Sequence, residues 1–197
     1  MTTPIDHIDA ALDATARIVA GLRDDLLARR SLCPGWDLRF ELNHLVGGMR
    51  IFAAELAGTE AEQDHHDEWL GRDPRAAFAT AAELDRAAWH RPDALSATVR
   101  LGFGAVPAPL AAQIHRTEIL VHGIDLAVVA GLSDRIDERQ SAELLATMRA
   151  MDFDMFRRPG MFAAAVPAPA DAPPHRQLLA FLGRDVPEVS LSVAADR

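Results

Sequence analysis

Apolar residues recur at steps of three and four through Ile8, Leu12, Ala16, Val19, Leu22 and Leu26, the period of a helix with one buried face. That spacing predicts an amphipathic helix over 5–28. The turn SLCPGW interrupts it, because Pro34 and Gly35 are poor helix residues, and Asp37 can cap a second helix over 38–56. Its stripe is Leu38, Leu42, Leu45, Met49, Phe52 and Leu56, and His44 lies beside that stripe. The polar stretch TEAEQDHHDEW reads as a loop. Pro74 opens a third helix over 74–89, and Pro92 ends it.

Residues 91–109 mix glycine, proline and a short β-prone run, which predicts an irregular crossover with brief extended pairing. A fourth helix over 110–130 stops at Gly131. A fifth over 137–157 turns Leu144, Leu145, Met148, Met151 and Met155 inward. From Pro159 the chain is rich in proline and alanine, with HRQLLAFLGR as one more short helix. Helices joined by mostly short links pack as bundles. The expectation is one all-α domain over 1–197, an up-and-down four-helix bundle with additional short helices and an irregular crossover, the segment 159–197 packed on it.

Composition narrows the function classes. The chain has 49% apolar and 25% charged residues, the mixture of a folded globular protein, and a net charge of −9 without any cluster of Arg. Such a surface repels phosphate backbones, so nucleic acid is not expected as a partner. The opening MTTPIDHIDAALD lacks the basic and apolar regions of a secretory signal, and no apolar run is long enough to span a bilayer. A lone cysteine, Cys33, cannot form an internal disulfide and suits a reducing compartment, so a cytoplasmic protein is expected. Alone, Cys33 reads as a small buried hydrophobe more readily than as a reactive thiol.

The chemistry concentrates on the fourth helix. His115, Glu118, His122 and Asp125 follow at steps of three, four and three, which puts all four on one face. Apolar residues occupy almost every other direction, so this polar stripe is expected to be buried. A buried carboxylate without a partner is expensive, and Glu118 therefore calls for a cation, a donor network or exposure. Glu118 and His122 lie roughly 6 Å apart at Cβ and can converge on one ion. His44 is the best third donor. Two His and one Glu leave a coordination position open for water or substrate, as in catalytic zinc sites, and the same set can hold Fe(II) or Ni(II).

His115 and Asp125 are open to three readings, as extra ligands, as groups orienting a ligating imidazole, or as acid and base; the second is adopted here. Gly47, Gly48 and Gly123 beside the donors point to close helix approach or room for a ligand. Glu62, Asp64, His65, His66 and Asp67 form another dense group, but in a polar stretch with no apolar framework, and read as solvated surface.

At CPGWDLRFELNHLVGG and again at EILVHGIDLAVVAG the chain resembles the mycothiol-dependent maleylpyruvate isomerase N-terminal domain family of the DinB-like superfamily, and the closing AFLGRDVP resembles its single-domain metal-binding members. The resemblance implies a DinB-like four-helix bundle in which His44, Glu118 and His122 bind a divalent metal, usually zinc. It also implies a low-molecular-weight thiol, such as mycothiol or bacillithiol, and an electrophilic small molecule as partners, for isomerisation or thiol transfer. A non-catalytic metal-stabilised bundle binding a small ligand or a protein partner is the alternative. The family's His-Gly-Trp-Asp-Leu is His122, Gly123, Ile124, Asp125 and Leu126 here, without the aromatic. The isomerase proper also carries a second α/β domain, so a relative other than the isomerase itself is expected. A homodimer through exposed helix faces is compatible with the sequence, although no motif points to it.

Overall fold

The computed structural model describes residues 2–61, 63–102, 104–158 and 161–186. Six helices appear among them: α1 (Pro4–Val19), α2 (Leu38–Ala57), α3 (Pro74–Trp89), α4 (Ala108–Ala130), α5 (Glu138–Arg149) and α6 (Pro174–Phe181). Capping starts several of them: Thr3 makes a reciprocal cap with Asp6, Asp37 accepts from the Phe40 N–H, and Asp73 from the Ala76 N–H, followed by Pro74. Gly58 and Gly131 end α2 and α4 in left-handed conformations, φ 72° and 75°.

Helix α1 packs on α4 and α3, and α2 packs on α3 and α4, so the four long helices close a ring in the order α1, α3, α2, α4. Their shared core includes Ile8, Leu12, Leu38, Leu42, Met49 and Ile124, each no more than 1% exposed. The α3–α4 crossover contains a hairpin, β1 (Thr98–Leu101) antiparallel to β2 (Gly104–Pro107), with Val99 opposite Val106 and wholly buried. The expected brief extended pairing is this hairpin. Helices α5 and α6 pack on each other, and no helix among the described residues is long and apolar enough to cross a membrane.

Two predicted helices run too long. Helix α1 stops at Val19, not near Ala28: the Arg135 guanidinium occupies the space where a Gly21 side chain would be, and its Nη1 donates to the Arg17 carbonyl at 2.8 Å, tying off the last turn. Leu22, Leu26 and Leu27 still reach the core from the following turns. Helix α5 ends at Arg149, and Met151 and Met155 are 39% and 62% exposed, opposite to the inward placement expected of them. Asp152 and Asp154 are unfavourable next to a helix C-terminus. Phe153 instead turns into a cluster with Phe156, Phe162 and Phe181, its ring 5.0–5.5 Å from theirs.

Candidate functional site

Helix α4 is apolar on nearly every side, yet most of its polar face is buried too, with His115 at 1%, His122 at 6% and Asp125 at 0% exposure, while the Glu118 side chain, expected to be buried with them, is 39% exposed. Across from it α2 presents His44 and, three residues earlier, Glu41. Gly123 lets α4 approach α1: a Cβ there would overlap the Thr15 side chain, whose hydroxyl donates to the Ile119 carbonyl at 3.0 Å. Gly47 and Gly48 serve a loop, not another helix. A Cβ at Gly47 would lie 2.6 Å from the His65 carbonyl oxygen and 2.7 Å from Trp69 Nε1.

The structure brings His44, Glu118 and His122 together. Oε2 of Glu118 lies 3.2 Å from His44 Nε2 and 3.3 Å from His122 Nε2, and the three donor atoms fall within 4.8 Å of one another. They face a cavity of about 1520 Å³. On its other side the His122 ring donates through Nδ1 to Glu41 Oε1 at 2.8 Å, and Ser31 Oγ donates to Glu41 Oε2 at 2.7 Å. Glu41, wholly buried, is the residue that sequence reasoning missed. It holds the imidazole that Asp125 was expected to orient; Asp125 Oδ2 is farther from Nδ1, at 3.9 Å, and instead receives Arg184 Nε at 3.1 Å. Cys33 joins the same cluster, with Arg184 Nη2 3.2 Å and His122 Nδ1 3.9 Å from its sulfur.

Trp36 from the SLCPGW turn supplies an aromatic wall, its ring 4.8 Å from that of His44 and 5.7 Å from that of His122. The aromatic missing at Ile124 is thus matched from a different part of the chain. His65, read from sequence as solvated, folds onto His44 with ring centroids 4.2 Å apart and bonds to the His44 carbonyl at 3.1 Å. The burial comes from Gly47 and Gly48, which leave α2 flat enough for the loop to settle. Asp64, His66 and Asp67 are exposed, and Glu62 lies outside the described residues.

The electrostatics favour a clamp around His122. Burial by itself lowers the proton affinity of its ring, but Cys33, Glu118 and Glu41 outweigh this and raise it well above the ordinary histidine value. Desolvation raises the Glu118 carboxyl, while hydrogen bonds from His122 and His44 prevail and hold it well below the usual carboxylate range. Burial lowers His44, with Glu118 opposing. Asp125 is pushed up to about 7 by burial and by neighbouring Glu41, against the pull of Arg184 and His122. Burial also raises the Cys33 thiol.

Among the described residues, three groups of side chains are close enough to consider for a cation. Cys33, Glu41, His122 and Asp125 already hold the Arg184 guanidinium against Asp125 and Cys33, which serves as their cation. His44, His65 and His66 are stacked, with 28° between the first two rings and 17° between the last two, so their in-plane lone pairs run side by side and do not converge. His44, Glu118 and His122 suit a divalent ion best. Their donors are two imidazole nitrogens and a carboxylate oxygen, they face one space, and the far nitrogen of His122 is fixed by a carboxylate, an arrangement typical of metal-bound histidine.

His115 stands apart from these groups. Its Nε2 bonds to Asp85 Oδ2 on α3 at 2.8 Å, and its ring lies against Phe52, centroids 3.9 Å apart. Asp85 is wholly buried, and burial raises its carboxyl against the opposing influence of His115. His115 also contributes to the wall of the large cavity, so it lies on the site without orienting a ligating imidazole.

The fold has counterparts among known proteins. Residues 8–127 match the family model of the mycothiol maleylpyruvate isomerase N-terminal domain. Two uncharacterised proteins, from two strains of Mycobacterium tuberculosis, are each 36% identical over 184 residues, covering 93% of this chain and 98% of the relative. Crystal structures of the mycothiol-dependent maleylpyruvate isomerase and of a histidine-to-alanine mutant of it share the fold, with TM-scores of 0.52 and 0.53. Both are 19% identical, covering 74% of this chain and 72% of theirs.

Proposed function

The chain belongs to the mycothiol maleylpyruvate isomerase N-terminal domain family, and from that premise we propose that it is a divalent-metal protein that uses a low-molecular-weight thiol, such as mycothiol, in a transfer or related reaction on an electrophilic small molecule. The observation that carries this reading is the meeting of His44 Nε2, His122 Nε2 and Glu118 Oε2 on one side of a cavity large enough for a thiol and a second molecule.

His44, Glu118 and His122 would hold the ion, zinc first by donor chemistry, with nickel and iron(II) as the other fits. Bound there, the ion would supply Lewis acidity, which lowers the pKa of a thiol so that thiolate is available near neutral pH. The chain's own residues do the rest. Glu41 keeps the His122 Nδ1 proton and thereby presents the Nε2 lone pair to the cavity. Trp36 and the His65 loop cover the donors and limit water. The buried Cys33 is not assigned a reacting role, because its thiol is raised by burial and lies among Glu41 and Asp125.

Elemental analysis of the purified protein beside His44→Ala and His122→Ala tests the reading. Wild type is expected to carry about one equivalent of metal and both variants to lose it. A wild-type protein that stays empty when prepared without chelator and offered zinc, nickel and iron overturns it. Given a bound metal, Glu118→Ala then separates use from support: in a metal-stabilised bundle without turnover it mainly lowers the melting temperature, whereas in a thiol-using enzyme it abolishes thiol conjugation in protein that remains folded.

A further inference from the structure

A second constellation borders the same cavity through one member, His115, and takes no part in holding the ion. His115 and Asp85 form a hydrogen-bonded pair, 1% and 0% exposed, bridging α3 and α4 in the middle of the bundle. The bond uses His115 Nε2. Nδ1 of the same ring is buried and has no partner. An unpaired buried polar atom carries a desolvation penalty that a wholly apolar residue packed here would avoid. His115 sits one helical turn before Glu118 on the polar face of α4, which places the two side chains about 5–6 Å apart at Cβ.

We propose that the Asp85–His115 pair is the proton acceptor for the thiol that enters this cavity. The assignment rests on the thiol reading above. A carboxylate can only accept, so Asp85 keeps the ring proton on Nε2 and leaves the Nδ1 lone pair available. When a thiol enters, its S–H bond breaks, an Nδ1–H bond forms, and the electron pair stays on sulfur as thiolate. The resulting imidazolium is stabilised by Asp85 Oδ2 at 2.8 Å. Phe52, stacked on the ring, fixes its plane and keeps bulk water from the pair.

Counting protons separates this role from that of a polar core pair. The zinc-loaded protein is titrated with mycothiol by calorimetry at neutral pH in buffers of different ionisation enthalpy, which gives the protons released to solvent per thiol bound. Wild type is expected to release close to none, because His115 keeps the proton, and His115→Gln to release one more. Asp85→Asn, which preserves the shape of the α3–α4 contact, is expected to move in the same direction and decides the matter if His115→Gln does not fold. Zinc content should be unchanged in both variants, since neither replaces a donor. Equal proton release in wild type and the folded variants overturns the assignment and leaves the thiol reading standing. Failure of zinc-loaded wild type to bind mycothiol overturns both.

Discussion

Helix α4 has two seams, and they use burial differently. Toward α1 the contact is close and almost wholly apolar, with Gly123 set against Thr15 and a single buried hydrogen bond to the Ile119 carbonyl. Toward α2 the contact is shared among Glu41, His44, Glu118 and His122, bonded to one another at 2.8–3.3 Å. The first seam excludes water, and the second is buried at Glu41 and His122 but opens on the cavity at Glu118. Apolar burial at about 25 cal/mol per Å² holds the first together, whereas the second buries charges whose mutual attraction at best offsets their desolvation. A bundle of this size can carry a weak polar seam because the opposite seam is strong.

The most severe test of that contrast is Gly123→Val. Its branched side chain would have to displace Thr15, and unfolding by urea is expected to show a loss of about 3 kcal/mol, the upper end of the usual overpacking range. A loss below about 0.5 kcal/mol would mean that the α1 seam is not the rigid one. Glu41→Gln acts on the other seam. It retains volume and one acceptor for His122 Nδ1 but removes the negative charge, and zinc affinity is expected to fall about 10- to 100-fold while the melting temperature changes little. Unchanged affinity in a chelator competition would show that Glu41 does not support His122 as a metal donor.

The smallest effect is expected at the outer layer, where Asp137 caps α5 and Gln140 donates to the Ala10 carbonyl of α1 at 2.9 Å. Burial raises the Asp137 carboxyl, but its bonds from the Gln140 backbone and side chain together outweigh this and lower it below the ordinary aspartate value. A lowered folded-state value means that this stabilisation is fully present above pH 3.8 and is lost as pH falls through the folded-state value. Asp137→Ala should therefore cost about 1 kcal/mol at neutral pH and progressively less in acid, read from urea unfolding across that range. A cost that does not shrink in acid would assign the effect to packing.

The α2 and α4 seams were legible to different degrees. The periodicity of α4 puts His115, Glu118, His122 and Asp125 on one face, because helical geometry relates residues of a single element. Glu41 carried a signal that was overlooked: it lies three residues after Leu38 and four before Leu45, on the buried side of α2, where a carboxylate needs a reason. Nothing comparable points from His115 to Asp85 or from Asp125 to Arg184, since those pairs depend on how separate elements meet. His65 was misread for a related cause. Its neighbours are polar, and the surface that partly covers it is the His44 ring and the bare backbone of Gly47 and Gly48 on α2. Helix ends failed where tertiary partners intervene, at Gly21 under Arg135 and at Phe153 in its aromatic cluster.

Arg184 has a consequence for the order in which the molecule is made. It lies beyond α6, yet its guanidinium pairs with Asp125 toward the C-terminal end of α4. A nascent chain that has emerged as far as α5 already contains every proposed metal donor, but it holds Asp125 and Glu41 as neighbouring acids without the cation that pairs with Asp125 once α6 has folded. The polar seam is thus completed only after α6 has emerged. A shortened translation product would retain the metal-binding helices and lack the residue that makes their burial tolerable, leaving incomplete chains exposed to proteolysis.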